Sequence, residues 1–133
     1  MITTPEIPLA GMADYSYFKV YMSDVGLLLR KARLNYRTVL EGNKSYISFK
    51  GALTENYVYT ELQSMEIDAY FWRSNANAEL NFVTDYEGIL LPVEVKSADN
   101  TKAKSLQLFC KRYHPRTVSY THLRAHETGR NLV

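Results

Sequence analysis

The sequence predicts a single α/β domain in which helices flank a mixed β-sheet. Its 133 residues are 46% hydrophobic and 23% charged, which is the composition of one ordinary globular domain. A stretch with helical periodicity is followed by three strand-like segments and then by a second amphipathic stretch. These five segments are, in order, residues 50–65, 68–73, 78–84, 89–96 and 101–113. The order helix, strand, strand, strand, helix is typical of an α/β sandwich.

The composition excludes several classes of protein. The single cysteine, Cys110, rules out an internal disulfide and a cysteine-built zinc site. No apolar run approaches the roughly 20 residues that cross a bilayer, and residues 1–10 lack the basic and apolar regions of a secretory signal. We therefore expect a cytoplasmic protein that does not associate with membranes. The net charge of +2 is too close to zero to indicate a polyanionic partner by itself.

The N-terminal part predicts a short strand followed by a capped helix. Residues 17–23 alternate in hydropathy and predict a strand whose apolar side chains share one side. These apolar residues are Phe18, Val20 and Met22. Asp24 is then placed to cap a helix over residues 25–34, which ends in basic residues as the helix dipole prefers.

The first long helix and the strands after it follow from periodicity. Residues 50–65 carry apolar or aromatic side chains three and four positions apart. These include Leu53, Tyr57, Val58 and Leu62. The strand over residues 68–73 is rich in aromatic residues, as strands tend to be. In the strand over residues 78–84, alternation places Leu80 and Phe82 on the same face.

The last two elements are the most apolar strand and an amphipathic helix. A turn at residues 85–88 leads into the strand over residues 89–96. The helix over residues 101–113 has one inward-facing stripe. This stripe consists of Leu106, Phe109, Cys110 and Tyr113.

Glu94 and Lys96 form the most distinctive polar pattern in the chain. They lie two residues apart in the most apolar strand, so both side chains point to one face, and Val93 and Val95 point to the other. A carboxylate and an ammonium inside a sheet protein are unfavourable unless they are paired or used. The pattern therefore has two interpretations, a same-face ion pair at a strand end or part of a catalytic site.

Three further residues complete a candidate metal site with Glu94. Glu79 and Asn81 share one face of the preceding strand, and Glu55 lies on the helix before it. A hard divalent cation takes several oxygen ligands from separate elements, so the predicted ligands of Mg²⁺ or Mn²⁺ are Glu94, Asn81, Glu55 and Glu79. The predicted catalytic residues are Glu94, Lys96, Glu55 and Asn81, with Lys96 orienting a water or stabilising charge on a phosphate. Glu55 could equally be an acid in an early turn of its helix, where the dipole favours it.

This arrangement resembles the PD-(D/E)XK nuclease fold, whose core is a helix with Glu, a strand with Asp and a strand ending in Glu-x-Lys. More narrowly, the chain resembles the uncharacterised C-terminal domain, a domain of unknown function, that follows the ATPase module in AAA-type ATPases of bacteria and archaea. The segments that carry this resemblance are residues 18–28, 49–62, 70–74, 78–83 and 92–97. The resemblance implies a truncated restriction-endonuclease-like sandwich, with DNA and a missing N-terminal ATPase domain as partners.

Two departures from the family pattern bear on activity. Where the family has Asp, this chain has Asn81, whose neutral amide cannot give Mg²⁺ a second negative charge, so metal binding is expected to be weak. The sequence also contains no Gly-x-x-x-x-Gly-Lys-Ser/Thr motif. We therefore expect no ATP to bind to this fragment in the P-loop manner.

A basic stretch near the end of the chain is a candidate nucleic-acid-binding surface. Its residues are Lys102, Lys104, Lys111, Arg112 and Arg116. Such a stretch could follow a phosphate backbone. It could also be an ordinary solvated helix face.

The last sixteen residues differ in character from the rest of the chain. Residues 118–128 resemble the one-frame translation of a transposon-end adapter used in DNA sequencing libraries. We therefore expect residues 118–133 to be a non-native tail, residues 1–117 to be one domain, and the natural chain to be truncated near Thr117. His122 and His126 have the spacing of a metal-binding pair on a helix, but they belong to this tail and are set aside.

Three functional hypotheses follow. The first is an accessory nuclease-fold module that serves an attached ATPase, binds nucleic acid or a partner, and has a weakened metal site. The second is an active Mg²⁺-dependent DNA endonuclease. The third is a catalytically inactive protein-interaction domain in which the polar cluster is a remnant.

Overall fold

The computed structural model of the chain describes residues 1–35, 37, 44–97 and 103–123. In chain order, its helices and strands are α1 (Leu9–Met12), α2 (Val25–Lys31), α3 (Lys44–Ser64), β1 (Ala69–Arg73), β2 (Glu79–Tyr86), β3 (Ile89–Ser97), α4 (Lys104–Tyr113) and β4 (Ser119–Leu123). Within these ranges, no helix combines the length and the apolar character that crossing a membrane requires.

The strands form one mixed sheet in the order β1-β2-β3-β4. β1, β2 and β3 are antiparallel, and β4 pairs with the free side of β3 in parallel orientation. The turn between β2 and β3 has Glu87 and Gly88 at positive φ, 52° and 77°, as the type I′ turn of a two-residue hairpin requires. The predicted mixed α/β class is confirmed.

The sheet has a buried apolar cluster on each face, and each cluster includes residues of one long helix. On the α3 face, the cluster consists of Val58, Phe82, Val93 and Val95. On the α4 face, it consists of Ile2, Leu9, Trp72, Leu80, Val83, Leu106 and Phe109. The Trp72 and Phe109 rings meet edge to face with centroids 5.3 Å apart, a favourable aromatic geometry. The sheet is therefore a middle layer between α3 and α4.

β2 contains a β-bulge in the region of the candidate site. Tyr70 pairs with Val83 and Trp72 pairs with Leu80, so two steps along β1 oppose three steps along β2. The extra residue puts Leu80 and Val83 together on the α4 face and Phe82 on the α3 face. The prediction that Leu80 and Phe82 share a face is wrong, because strict alternation does not continue through a bulge.

Residues 17–22, called the strap below, lie against the α3 face as a segment outside the sheet. The strand predicted there is not formed, because the main chain of Met22 pairs with the side chain of Asn56 instead of with a strand. Met22 N donates to Asn56 Oδ1 at 2.8 Å, and Asn56 Nδ2 donates to Met22 O at 3.0 Å. Phe18 and Val20 do lie on the same side of the strap, but that side faces solvent and leaves them 77% and 79% exposed.

The helix after the strap has the predicted cap. The Asp24 side chain accepts a hydrogen bond from Leu27 N at 3.0 Å, which satisfies one free donor of the first turn of α2. Arg30 and Lys31 occupy its last turn. The helix ends at Lys31 and not at residue 34.

β4 lies within the segment predicted to be a non-native tail. Its pairing with β3 runs from Val93↔Ser119 to Ser97↔Leu123. Residues 124–133, with His126, are outside the described residues. The domain boundary after residue 117 stays a prediction.

Candidate functional site: a lysine between carboxylates

Lys19 of the strap lies between two carboxylates on the α3 face. Its Nζ is 2.9 Å from Glu55 Oε1 on α3 and 2.6 Å from Glu79 Oε1 at the start of β2. It also lies 5.1 Å from the centre of the Phe71 ring, within the range of a cation–π interaction. The side chains of Lys19, Glu55 and Glu79 are 24%, 22% and 34% exposed. Water therefore screens these charges less than it screens an exposed surface pair.

Glu55 accepts hydrogen bonds at both of its carboxylate oxygens. Oε1 accepts from Lys19 Nζ and from the Tyr21 hydroxyl, the latter at 2.7 Å. Oε2 accepts from Asn81 Nδ2 at 2.9 Å. Because α3 begins at Lys44, Glu55 lies in the interior of the helix, and the interpretation of Glu55 as an acid in an early turn is wrong.

Asn81, in the bulge of β2, uses both ends of its side-chain amide within the protein. Nδ2 donates to Glu55, and Oδ1 accepts from the main-chain N of Val95 at 3.0 Å. The described ladder between β2 and β3 reaches only to Phe82↔Val93, so the Asn81 side chain extends the contact between these strands by one step. An aspartate here could accept from Val95 but could not donate to Glu55.

The same contacts shift two pKa values. Burial alone would lower the pKa of Lys19, but hydrogen bonds from its ammonium to Glu79 and Glu55 and their negative charges outweigh it, so the pKa is raised. Burial of the Tyr21 hydroxyl, together with its hydrogen bond to Glu55, raises the pKa of Tyr21 well above the ordinary range. Lys19 therefore stays cationic and Tyr21 stays protonated at neutral pH.

Glu94 and Lys96 form an ion pair on the other face of the sheet. Lys96 Nζ is 2.6 Å from Glu94 Oε1, and the Glu94 side chain is 2% exposed. Val93 and Val95 belong to the α3-face cluster, so alternation directs Glu94 and Lys96 toward the α4 face. Glu94 Oε2 is buried and has no hydrogen-bond partner within the described part of the chain.

The structure brings together only part of the predicted metal site. Glu55 bonds Asn81 directly, and Lys19 joins Glu55 to Glu79. Glu94 is separated from these three by the sheet. Within residues 1–35, 37, 44–97 and 103–123, no group of three or more His, Cys, Asp or Glu is arranged to hold a metal ion. Glu94 thus lies apart from the other three, and the four-ligand metal site stays a prediction.

Sequence reasoning missed Lys19 and Tyr21, although a signal for them exists. Both alternate with Phe18 and Val20 along the strap. The alternation predicts a strand with two different sides, and it does not show which side faces the protein. The partly buried carboxylates of Glu55 and Glu79 select the polar side, because a carboxylate binds an ammonium or a hydroxyl donor more strongly than it does an apolar side chain.

The predicted basic surface is present in part on α4. Four of its residues are exposed, namely Lys104, Lys111, Arg112 and Arg116, and Lys102 is outside the described residues. Lys104, Gln107, Leu108 and Lys111 are spaced to form one outward stripe, opposite the buried Leu106 and Phe109. No salt bridge among the described residues neutralises any of the four exposed cations.

Fold and site together define a mixed α/β sandwich domain with a lysine-bridged pair of acids on one face and a buried Glu–Lys pair on the other. Residues 50–133 match the family described as Domain of unknown function (DUF4143), and the chain belongs to that family. The matched segment includes Glu55, Glu79, Asn81, Glu94 and Lys96 but not the strap. No curated protein and no solved structure matches the chain.

Proposed function

We propose that this chain is an accessory nuclease-fold domain of an AAA-type ATPase that binds nucleic acid and has a weakened metal site. Its proposed partners are DNA and an N-terminal ATPase domain. The observation that carries the proposal is that side chains of the protein itself already bond the predicted metal ligands on the α3 face. Lys19 bonds Glu55 and Glu79, and Asn81 bonds Glu55 and Val95.

These contacts favour binding over catalysis. A divalent ion at Glu55 would have to replace Lys19, which already supplies a charge-assisted hydrogen bond. Asn81 cannot compensate, because its oxygen accepts from Val95 and carries no negative charge. The order of helices and strands and the Glu94–Lys96 strand end support the PD-(D/E)XK relationship.

The α4 surface supplies the proposed nucleic-acid contact. Lys104 and Lys111 lie seven residues apart on one side of the helix, which places them about 10 Å apart along its axis. Arg112 and Arg116 extend the exposed positive charge beyond the helix end. Cations that are not used in salt bridges within the described protein are free to replace counterions on a phosphate backbone.

The test is binding of fluorescent single-stranded and double-stranded DNA, measured by anisotropy over a range of salt concentrations. We expect the double variant Lys104→Glu/Lys111→Glu to bind at least about tenfold more weakly than the parent. The slope of its log K against log salt should also be shallower by about one to two units, because each lost phosphate contact reduces the magnitude of this slope by roughly 0.9.

The matched control is Lys31→Glu, which reverses another exposed lysine in the last turn of a different helix, α2. Its affinity should stay within about twofold of the parent. DNA binding that is equal in the parent and the α4 variant, or the absence of salt-dependent binding, would contradict the proposal.

The second hypothesis, an active nuclease, has one observation in its favour. Glu94 Oε2 is buried beside Lys96 without a hydrogen-bond partner among the described residues, so it is free to act as a ligand. A cleavage assay with Mg²⁺ or Mn²⁺ on the parent, Glu94→Ala and Asn81→Asp tests it. Cutting by the parent that is lost in Glu94→Ala would show that the protein is an active nuclease. Cutting by Asn81→Asp alone would show that the site is a nuclease site inactivated by the asparagine. Folded proteins that neither cut nor bind DNA would favour the third hypothesis, a protein-interaction domain.

A further inference from the structure

Glu55 and Glu79 have the arrangement of a small cation-binding site, but a side chain of the protein lies between them. Lys19 Nζ is within 3 Å of an oxygen of each carboxylate, at 2.9 and 2.6 Å. The two acids come from separate elements, α3 and β2, as the ligands of hard divalent ions commonly do. Two of the predicted metal ligands, Glu55 and Glu79, are therefore already bonded to a cation that belongs to the chain itself.

We propose that the Lys19 ammonium is a tethered cation that takes the place of a divalent metal ion between Glu55 and Glu79. While the strap is bound, the α3 face neither needs nor admits a metal ion. Removing the amine leaves two neighbouring carboxylates without their counter-charge and turns the same position into a divalent cation site. This inference does not depend on nucleic-acid binding through α4.

The surroundings of Lys19 match this role. The ammonium has the face of Phe71 on one side and the carboxylates on another, so every described contact of the charge is one that suits a cation. Tyr21 and Asn81 donate to Glu55 and hold its carboxylate in place. An open cleft lined by Lys19, Tyr21 and Glu55 reaches the position from solvent, so a free ion has a route to it.

The strap is anchored in a way that makes the lysine a fixed occupant. Met22 is held by two hydrogen bonds to Asn56, and the Tyr21 ring stacks on Tyr59 with centroids 4.2 Å apart. These contacts keep Lys19 at a high effective concentration beside its carboxylates. A metal ion in solution therefore competes with an intramolecular partner.

The experiment compares the parent with Lys19→Met, which keeps most of the side-chain length and removes the charge. The probe is Tb³⁺, whose luminescence is sensitised by nearby tyrosines, and Tyr21 bonds Glu55 directly. We expect Lys19→Met to bind Tb³⁺ at least about tenfold more tightly than the parent, which corresponds to about 1.4 kcal/mol. Added Mn²⁺ should compete for the Tb³⁺ site and raise the melting temperature of the variant but not of the parent.

Two controls locate the effect. Lys31→Met removes an exposed lysine that no salt bridge among the described residues involves, and it should behave as the parent does. The double variant Lys19→Met/Glu55→Gln should lose the gained Tb³⁺ signal. A folded Lys19→Met protein without tighter Tb³⁺ binding would overturn the proposal, and so would a gain that survives Glu55→Gln.

A second measurement uses the parent protein and so does not depend on whether the variant folds. Amine labelling followed by mass spectrometry should modify Lys19 at least about tenfold more slowly than Lys104 and Lys111, because its ammonium is bonded. Mn²⁺ should leave this protection unchanged. Labelling of Lys19 at the rate of the exposed lysines, or labelling that Mn²⁺ accelerates, would contradict a fixed lysine occupant. Neither result depends on whether α4 binds DNA.

Discussion

Each face of the sheet carries a lysine beside a carboxylate, but the two carboxylates differ in burial and in their hydrogen-bond partners. On the α3 face, Glu55 accepts three hydrogen bonds spread over both of its oxygens. On the α4 face, Glu94 accepts one contact from Lys96, and its other oxygen is buried without a partner among the described residues. The more deeply buried acid is thus the one with fewer partners.

This difference separates a structural role from a candidate functional role. Burying a polar atom without a hydrogen bond is unfavourable by about 1–3 kcal/mol, so the α3 face gains stability from its cluster and the α4 face retains an unfavourable atom. Strain or unsatisfied polarity that a fold retains is a reasonable pointer to use by a ligand. Glu94 is therefore the acid to test for function, and Glu55 is the acid to test for stability.

The largest expected effect comes from opening the α4 face itself. Phe109 is 0% exposed and packs on Trp72. Phe109→Ala should lower the free energy of unfolding by about 3–5 kcal/mol, because it removes a large buried side chain and leaves a cavity. Urea denaturation followed by circular dichroism measures this. Leu108→Ala, next to it and 39% exposed, should change stability by less than about 0.5 kcal/mol.

The next effect compares the two acids through the same isosteric change. Glu55→Gln should lower the free energy of unfolding by about 1–3 kcal/mol, since it removes the charge that Lys19 faces and places an amide donor among three donors. Glu94→Gln should cost less than about 1 kcal/mol, because Lys96 is 22% exposed and can turn to water. Urea denaturation curves of the parent and the two variants under identical conditions measure the two losses in the free energy of unfolding. Equal losses, or a larger loss for Glu94→Gln, would show that the unpartnered oxygen is not the weaker point.

The smallest expected effect is a dependence of stability on alkaline pH through Tyr21. Its pKa is raised in the folded state, so above pH 10 the unfolded chain releases this proton while the folded chain keeps it. Stability should be independent of this group below pH 10 and should fall as pH rises beyond it. The parent should lose up to about 1 kcal/mol more per pH unit than Tyr21→Phe, less than the limit of about 1.4 because Tyr21 is only half-buried.

Thermal melts of the parent and Tyr21→Phe from about pH 8 to about pH 11 test this difference. The two proteins differ only at residue 21, so the difference between their profiles reports on the Tyr21 hydroxyl. Parallel pH profiles would mean that burial and the hydrogen bond to Glu55 do not raise the pKa of Tyr21 in the folded protein.

Sequence periodicity predicted the layers of the fold well. The helix around Glu55, the three antiparallel strands and α4 follow from apolar spacing and turn residues, because burial of one face imposes that spacing on any such element. The Asp24 cap was also predictable, because an N-cap side chain bonds a main-chain N–H only a few residues further along the chain. The PD-(D/E)XK relationship and the residues assigned to catalysis stay predictions.

What escaped prediction depends on contacts between distant segments. The bulge at Asn81 and Phe82 is an insertion relative to β1, and nothing in β2 alone marks it. Lys19 and Glu55 are 36 residues apart, so the alternation along the strap marks two sides but does not show which side meets the acids. The division of acids between the two faces follows from these two features.

The position of Glu94 and Lys96 at the end of β3 depends on the pairing of β3 with β4. Beyond Val93, the neighbour on the β2 side is the Asn81 side chain, and the neighbour on the other side is β4. A parallel ladder joins main-chain N–H and C=O groups, which every residue except proline carries in the same form. The position of Glu94 and Lys96 is therefore set by an edge that does not distinguish one side chain from another. Any extended segment of about five residues that reaches this edge can hold the strand end in register, and in this structure residues 119–123 do so.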